Sequence, residues 1–292
     1  MSVTVIGLAL LAAILHASWN AFLRTGADRL RTVTVMSFSS TVVAIPLAIS
    51  SAFPAPHAWP YVVLSACLQV GYSMFLVAAY RNGELGQVYP IVRGSVPLLV
   101  TLGGFFLANQ HLAMPQVLGV ALVAGGIMSL ASGKARAATT SILHALAAGA
   151  IIAAYATVDA IGVRQVGSAT AYTAWVLLIY GALLPAAFIA FRGRLVVDLR
   201  SAETLKALGG GVFALLAYGL VVAAFALGPA GPITAIRETS VIFAALIGWL
   251  FLGEVLTPRR IAACAIVALG AICLGYQPET PAGREAAYSA AW

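Results

Sequence analysis

The chain has 292 residues, of which 62% are hydrophobic and only 9% are charged, and its formal net charge is +7. In soluble domains about a quarter of the residues are charged, so this composition excludes an ordinary soluble domain. The Lys and Arg residues fall mainly in short connections between apolar runs. They therefore indicate orientation in a membrane rather than binding to nucleic acid.

The apolar runs are long enough to cross a bilayer as helices, which takes about 20 residues each. They are apolar on every face, whereas membrane strands would alternate over about 10 residues. We therefore predict an all-α integral membrane protein with ten transmembrane helices. The predicted spans are residues 2–23, 32–51, 59–81, 86–108, 114–132, 141–163, 169–191, 204–226, 231–252 and 259–276.

The ends of the chain and the cysteines add little chemistry. Residues 1–15 lack a basic start and a small-residue cleavage site, so we interpret them as part of the first membrane helix rather than a cleaved signal. We expect the tail, residues 277–292, to be loosely structured. The three cysteines, Cys67, Cys264 and Cys273, lie in hydrophobic segments, where thiols are usually inert. We therefore predict no disulfide and no metal site.

The two halves of the chain resemble each other. The matched positions are Arg93 with Arg237, Gly104 with Gly248, Gly126 with Gly270, and His16, Ser18 and Asn20 with Tyr155, Thr157 and Asp159. We predict one transmembrane domain built from two five-helix repeats, residues 1–138 and 139–292. Because five is odd, the second repeat must lie inverted in the membrane. That architecture places a binding site near the midplane between the halves.

The basic residues are distributed unevenly between the two sides of the predicted bundle. The loops after helices one, three, five, seven and nine are rich in Lys and Arg, whereas the other side has only Arg164 and, in the tail, Arg284. By the positive-inside rule, the first set of loops is cytoplasmic and both termini lie outside.

Helix four carries Arg93 between Pro90 and Pro97, with Tyr89 one turn before the arginine. A charge at the bilayer centre costs about 2.5–3.5 kcal/mol on insertion scales, so Arg93 should face a partner or a watery cavity. The prolines remove backbone donors and predict a kinked or locally open helix. The alternative is a structural kink that Arg93 stabilises by binding neighbouring carbonyls.

Helix nine follows a sharp break at residues 228–232, Gly-Pro-Ala-Gly-Pro, and carries Arg237 and Glu238. Adjacent residues of a helix point about 100° apart, so we expect each side chain to find its partner elsewhere. Glu238 would face Arg93, or Arg237 would face Asp159. Such pairs are a structural alternative to a substrate site, although an ion pair that lines a cavity can also bind a zwitterion.

Helix one carries His16, Trp19 and Asn20 at helical spacing, and helix six carries Tyr155 and Asp159 one turn apart. A lone His in an apolar helix is more often a core residue. Polar and aromatic residues on two matched helices nevertheless favour a cavity lining. Asp159 is the best candidate for proton coupling, because burial in a membrane favours the neutral form of a carboxylate.

Other segments are expected to be structural or to add aromatic surface. Tyr72, Tyr80, Trp175 and Tyr218 extend the candidate lining, whereas Trp59, Tyr61, Trp249 and Tyr276 are typical interface anchors. Helices five and ten carry small-residue pairs, Ala121 with Gly125 and Ala271 with Gly275, which suit close packing between helices or between protomers. The protein is expected to be a monomer or a dimer. Enzyme motifs are lacking, and we expect no catalytic residue and no cofactor.

Two short segments carry a family resemblance. The first is the run His-Ala-Ser-Trp-Asn-Ala at residues 16–21. The second is the run Gly-Trp-Leu-Phe-Leu-Gly-Glu at residues 248–254, and it is followed by Pro258 and an Ala/Gly-rich last helix. With the ten spans, this pattern resembles the drug/metabolite transporter superfamily, and most closely its EamA branch. The first half departs from the pattern, reading Asn-Gln at 109–110 where the second has Gly-Glu at 253–254.

The resemblance implies a basket of ten helices around a central cavity lined by helices one, three, four, six, eight and nine. It also implies cytoplasmic termini, contrary to the charge count. Members of the superfamily include exporters of amino acids, among them aromatic amino-acid exporters of the YddG type, and sugar-phosphate or nucleotide-sugar exchangers.

The sequence thus favours a secondary transporter in the bacterial inner membrane that exports amino acids, including aromatic or other apolar ones, and related small metabolites by alternating access. The expected substrate is a zwitterion. Arg93 or Arg237 would bind its carboxylate and Glu238 or Asp159 its ammonium group. Its side chain would contact Trp19, Tyr80, Tyr89 and Tyr155.

Three alternatives stay open at the level of sequence. A multidrug or organic-cation efflux carrier is favoured if Asp159 and Glu238 are unpaired. A sugar-phosphate or nucleotide-sugar exchanger would need several unpaired cations. A membrane enzyme or a receptor-like binding module is disfavoured by the missing catalytic motifs and the missing soluble domain.

Overall fold

The computed structural model describes residues 1–24, 28–81, 85–131, 139–253 and 255–275, and for residues 21–24, 76–81, 85–88, 251 and 252 it describes the backbone alone. The elements within these ranges are helices, and a short 3₁₀ helix, Pro56–Ala58, precedes the third of them. They are α1 (Val3–Arg24), α2 (Arg29–Ser50), α3 (Trp59–Arg81), α4 (Leu85–Ala108), α5 (Met114–Ser129), α6 (Thr139–Val166), α7 (Ala169–Arg192), α8 (Ala202–Leu227), α9 (Ala230–Glu238), α10 (Ser240–Leu252) and α11 (Pro258–Gly275).

Most of these helices have the length and composition of membrane spans. Eight helical segments of the described chain are long and apolar enough to cross a bilayer, and α9 and α10 together form one of them. The apolar helix α5 is shorter, with 16 residues, and α3 has 23. The ten predicted spans therefore fall on α1 to α8, the α9–α10 pair and α11. The predicted all-α membrane fold is confirmed.

The helices pack in pairs that join the two halves of the chain. Helix α1 packs on α8, as α6 packs on α3, while α2 packs on α7 and α5 on α11. If each helix is replaced by its counterpart in the other half, the α1–α8 pair becomes the α6–α3 pair. The α2–α7 and α5–α11 pairs each join a helix to its own counterpart. This is the pattern that a pseudo-two-fold repeat predicts, and the inverted repeat itself stays a prediction.

Glycines bring α5 and α11 into close contact. A Cβ atom at Gly119 would lie 2.8 Å from the carbonyl oxygen of Gly270, and a Cβ atom at Gly270 would lie 2.8 Å from that of Gly119. The sequence pointed instead to Ala121 and Gly125. Gly125 has nothing within 4 Å of its Cβ position, and Ala121 is exposed. The two helices pack, but through a neighbouring face of α5.

Helices α4 and α10 end in the same way. Asn109, directly after α4, has a φ of 49°, and Gly253, directly after α10, has a φ of 66°. The backbone N–H of Gln110 donates to the carbonyl of Gly104, and the backbone N–H of Gly253 donates to the carbonyl of Gly248. Asn is among the few residues other than Gly that adopt the left-handed conformation readily. The first half has Asn-Gln where the second has Gly-Glu, but Asn109 adopts the same left-handed conformation as Gly253 and the helix end is kept.

Two side chains bind helix ends on neighbouring elements. Gln110 Oε1 accepts a hydrogen bond from the N–H of Ala230, the first residue of α9, at 3.0 Å. Arg164 Nη2 donates to the carbonyls of Phe225 and Gly228 at the end of α8, at 3.0 and 2.7 Å. Terminal N–H and C=O groups of a helix lack partners within the helix. Arg164 thus satisfies two carbonyls of α8.

The main irregularity of the bundle lies in the ninth span rather than in the fourth. Helix α4 runs unbroken through Pro90 and Pro97, so the predicted local opening of its backbone is not found. The ninth span is divided at Thr239, whose N–H and hydroxyl both donate to the carbonyl of Ile236, at 3.0 and 2.6 Å. These are bonds of the tighter 3₁₀ type, which often marks a functional hinge inside a helix.

Candidate functional site

Arg93 projects from α4 into the interior, and only 5% of the residue is exposed. Its Nε donates to the hydroxyl of Tyr89 at 3.4 Å, and its guanidinium carbon lies 5.6 Å from the centroid of the Tyr89 ring. The spacing of four residues accounts for the contact, since positions i and i+4 lie on one face of a helix. The same Nε lies 3.3 Å from Oε2 of Glu238.

Glu238 binds two arginines. Besides Arg93 at Oε2, it accepts at Oε1 a hydrogen bond of 2.8 Å from Nη2 of Arg237. The expected contact of Glu238 with Arg93 is therefore present, whereas the expectation that Arg237 and Glu238 would not pair with each other is wrong. Helix geometry separates the Cα–Cβ directions of neighbours, but two long side chains can still meet at their ends.

These three residues, which we call the charge triad, are all buried: Glu238 is 2% exposed and Arg237 is 7% exposed. Two cations and one anion give the triad a formal charge of +1. Arg237 Nε is buried and has no hydrogen-bond partner among the described residues. A buried donor without a partner costs about 1–3 kcal/mol, and an acceptor on a ligand would remove that cost.

The three candidate residues of α1 contact one another. Trp19 Nε1 donates to Nδ1 of His16 at 3.2 Å, and the two rings meet edge to face with centroids 5.0 Å apart. Asn20 Nδ2 donates to the carbonyl of His16 at 2.7 Å. Because an indole N–H can only donate, Nδ1 of His16 must be the acceptor. The proton of the neutral imidazole therefore lies on Nε2.

His16 Nε2 is a second buried donor without a partner in the described part of the chain. Helix α1 packs on both α9 and α10, and His16 lies within electrostatic reach of Arg93 and Arg237. Two unpartnered donors, His16 Nε2 and Arg237 Nε, thus come from different helices to one region of the interior. This region can bind an anionic group such as a carboxylate.

Asp159 lies in a separate polar network. It is 1% exposed, and its Oδ1 accepts hydrogen bonds from Ser65 Oγ and, at 2.9 Å, from the hydroxyl of Tyr172. The hydroxyl of Tyr218 also lies at this carboxylate. The alternative pairing of Arg237 with Asp159 is not formed, because Arg237 Nη2 binds Glu238 instead. Arg237 acts on Asp159 only at longer range.

Tyr155 connects the two groups along α6. It is one turn before Asp159 and lies within electrostatic reach of Asp159 and of both arginines of the charge triad. Its ring is tilted against that of Tyr72, with centroids 6.3 Å apart. Tyr80 was also predicted to line the cavity, but its side chain lies outside the described part of the structure.

The remaining two candidates have different surroundings. Tyr218 accepts a hydrogen bond of 3.2 Å from Nε2 of Gln69, which joins it to the Asp159 network. Trp175 instead packs against Phe53 and Trp59, with ring centroids 5.2 Å away in both cases. Trp175 therefore belongs to an aromatic cluster near the start of α3, and the structure does not bring it to the charge triad.

Sequence reasoning missed three residues that surround Asp159. Ser65 and Gln69 lie one turn apart on α3, and Gln69 Nε2 donates to Ser65 Oγ at 3.1 Å. Tyr172 is fully buried on α7. The spacing of Ser65, Gln69 and Ser73 by four residues was a detectable signal, because it places polar groups along one face of an apolar helix.

The described helices enclose buried charges of both signs, and charges inside a membrane bundle commonly mark substrate or ion pathways. Residues 139–276 match the EamA-like transporter family. The match covers the second half of the chain, slightly less than half of its length, and that half is thus similar to a family of membrane transporters.

The fold also occurs in a solved structure. A protein whose structure is titled "Crystal structure of protein" superposes with a TM-score of 0.73 at 19% sequence identity, over 92% of this chain and 94% of that chain. At this identity the likeness concerns the fold alone. No curated protein matches the sequence.

Proposed function

We propose that the protein is a secondary transporter that exports amino acids, including those with aromatic or other apolar side chains, and related small metabolites across the bacterial inner membrane by alternating access. The observation that carries this proposal is the charge triad, which is buried and has a formal charge of +1. Its Arg237 Nε and the nearby His16 Nε2 lack partners among the described residues.

The carboxylate of the substrate would bind the two unpartnered donors. Hydrogen bonds between a guanidinium and a carboxylate are charge-assisted and roughly twice as strong as neutral ones. Glu238 already accepts from Arg237 and Arg93, which holds the arginines in place and leaves one positive charge uncompensated. A carboxylate at Arg237 and His16 would bring the formal charge of this region to zero.

The ammonium group of the substrate needs a different partner. Both oxygens of Glu238 are engaged by arginines, so this carboxylate is a poor acceptor for a third cation. Asp159 has no Lys, Arg or His nitrogen within 4.0 Å among the described residues, and Tyr155 lies within electrostatic reach of both Asp159 and the triad. We therefore assign the ammonium end to the region of Tyr155, where the negative charge of Asp159 and the aromatic ring attract it. Trp19 and Tyr89 would contact the side chain of the substrate.

A substitution at Arg93 tests this assignment. Arg93→Ala leaves Arg237 and Glu238 as a neutral pair and removes the excess positive charge, so we expect the export of amino acids from proteoliposomes to be abolished. Arg194→Ala is the matched control, because Arg194 is exposed beyond the end of α7. Folding of both variants is checked by circular dichroism and by elution from a sizing column. Normal flux in folded Arg93→Ala would remove Arg93 from the substrate site and refute the role of the excess positive charge.

One observation favours a second candidate, efflux of organic cations: Asp159 has no cationic partner among the described residues. A lipophilic cation would then bind at Asp159 and would not need the charge triad. A flux panel that compares amino acids with lipophilic cations, in the wild-type protein and in Arg93→Ala, separates the two candidates. Cation transport that survives Arg93→Ala would replace the amino-acid proposal.

A further inference from the structure

The connection between α7 and α8, residues 193–201, presents arginines and large apolar side chains together. Val196 and Leu199 are 61% and 65% exposed, and Phe191, in the last turn of α7, is 75% exposed. Arg194 and Arg200 are exposed as well, and neither forms an ion pair within the described part of the chain. Water suits the guanidinium groups, whereas hydrocarbon suits the apolar groups. Both are satisfied at the boundary between lipid headgroups and acyl chains.

The length of α7 places this connection at that boundary. Helix α7 has 24 residues and α8 has 26. At 1.5 Å per residue, α7 is about 36 Å long, which exceeds the hydrocarbon thickness of about 30 Å even at a tilt of about 20°. Both ends of α7 therefore reach the headgroup region. The connection to α8 runs along the membrane surface at the depth of the headgroups.

Contacts with α2 hold the connection in position. Arg31 Nε, at the start of α2, donates to the carbonyl of Val196 at 3.3 Å, and its Nη1 lies 3.8 Å from Oε2 of Glu203 in the first turn of α8. Val197 packs against a buried cluster of side chains from α2 and α8. Positions 195 and 197 are half-buried, whereas positions 194, 196 and 198 are exposed. This alternation is typical of an extended chain with one face against the protein, so the exposed positions face away from the bundle.

The charge of the exposed side chains indicates their partner. We call these side chains the interfacial surface; they are Phe191, Arg194, Val196, Leu199, Arg200 and Lys206. One anion lies among them, Asp198, whose Oδ1 accepts a hydrogen bond of 2.9 Å from the backbone N–H of Arg200. Three cations and this anion give a formal charge of +2. A soluble anion would leave the apolar side chains in water, and a zwitterionic lipid has no net charge. An anionic phospholipid matches both properties, because one molecule carries a phosphate and acyl chains.

The connections on the opposite side of the bundle have a different composition. They contain no Lys or Arg, and they are residues 51–58, 109–113, 167–168 and 228–229. The interfacial surface therefore selects the leaflet on the side of the basic loops.

We propose that the interfacial surface is a binding site for anionic phospholipids, with the headgroup phosphate at Arg194 and Arg200 and the acyl chains against Phe191, Val196 and Leu199. Because a ligand that binds only the folded state stabilises that state, bound lipid also stabilises the fold. The contacts of the connection with α2 and α8 extend this effect to both helices. The site is independent of the transported substrate.

The first test measures lipid selectivity. Purified full-length protein in detergent is titrated with phosphatidylglycerol or with phosphatidylcholine, and native mass spectrometry measures the affinity of the tightest-bound lipid. Phosphatidylglycerol should bind more tightly. Arg194→Gln combined with Arg200→Gln should weaken its affinity about 25-fold, since each basic residue near a membrane surface contributes about fivefold. Equal affinities of the two lipids for the wild-type protein, or an unchanged affinity in the folded Gln pair, would overturn the proposal.

Two further variants test whether charge is what the surface recognises. Arg194→Lys combined with Arg200→Lys is the matched control, because it keeps both charges and should keep the binding. Asp198→Asn removes the anion, retains an oxygen for the N–H of Arg200, and should strengthen the binding by a similar factor, about fivefold. Weaker binding in Asp198→Asn, or a loss in the Lys pair as large as that in the Gln pair, would contradict recognition by charge.

Glycerol 3-phosphate separates the lipid from a soluble anion. It has the phosphate but no acyl chains, so an equal concentration should not displace phosphatidylglycerol. Val196→Ser combined with Leu199→Ser leaves the charge unchanged and should weaken the binding of the lipid. Displacement by glycerol 3-phosphate, or unchanged lipid affinity in the Ser pair, would assign the surface to a soluble anion and overturn the proposal. Phosphatidylglycerol should also raise the midpoint of thermal unfolding in the wild-type protein more than in the Gln pair, and equal shifts would contradict stabilisation through this site.

Discussion

Glu238→Gln is the sharpest perturbation of the charge triad. It removes the one negative charge between two buried arginines and leaves two cations without compensation. Removal of one partner from a buried ion pair typically costs about 3–5 kcal/mol. Gln retains an acceptor for one arginine, at most, and we therefore expect a loss near the lower end, about 3 kcal/mol. Denaturant unfolding in detergent micelles, followed by tryptophan fluorescence, measures this loss.

The chain offers a matched control for this substitution. Glu203 pairs with Arg31 at 3.8 Å, but both side chains are about a third exposed, at 36% and 30%. Pairs of this kind contribute about 0–1 kcal/mol, so Glu203→Gln should change the free energy of unfolding little. Adding Arg93→Met to Glu238→Gln should restore part of the lost stability, because it removes one of the two uncompensated cations. A loss below about 1 kcal/mol in Glu238→Gln, or simple additivity in the double variant, would refute the triad as an energetic unit.

Two further substitutions test other parts of the structure. Trp19→Phe removes the donor that fixes the tautomer of His16, and the KM for amino-acid export should rise about fivefold, the equivalent of one hydrogen bond of about 1 kcal/mol. Trp249→Phe, at a residue that is 52% exposed, is its control, and equal KM values in the two variants would contradict the role of the tautomer. Gly270→Val should lower the free energy of unfolding by about 1–3 kcal/mol through overpacking between α5 and α11. Gly125→Val should be tolerated, and equal losses would contradict the observed packing face.

The helix positions were predictable because each depends on a local property. An apolar run bounded by Gly, Pro or charge sets both the existence and the length of a membrane helix. The predicted span 59–81 coincides with Trp59–Arg81, and the predicted span 169–191 differs by one residue from Ala169–Arg192. The break at Thr239 had no such signal. No Gly or Pro lies beside it, and the bonds to Ile236 that define it form only in the folded backbone.

The site was predictable only where its contacts lie within one helix. Tyr89 and Arg93, or His16 and Trp19, meet because of their spacing along a helix. Contacts between helices depend on how each helix is rotated about its axis and how deep each residue lies in the membrane. The periodicity of the sequence does not determine these two quantities. The sequence offered a pair of Asp159 with Arg237 as one of two alternatives. The structure surrounds Asp159 with hydroxyls instead.

The two arginines that correspond between the halves do not have equivalent neighbours, and this difference creates the charge of the site. Gly94 follows Arg93, at the position that Glu238 occupies after Arg237. A Cβ atom at Gly94 would lie 3.0 Å from the carbonyl oxygen of Ala124 and closer still to Met128, so the packing of α5 excludes a larger residue there. One glutamate must therefore serve both arginines, and one positive charge is left over. A second glutamate would have neutralised the two arginines and weakened the proposed binding of a carboxylate. The close packing of α4 on α5 thus maintains the excess positive charge that the proposed substrate would bind.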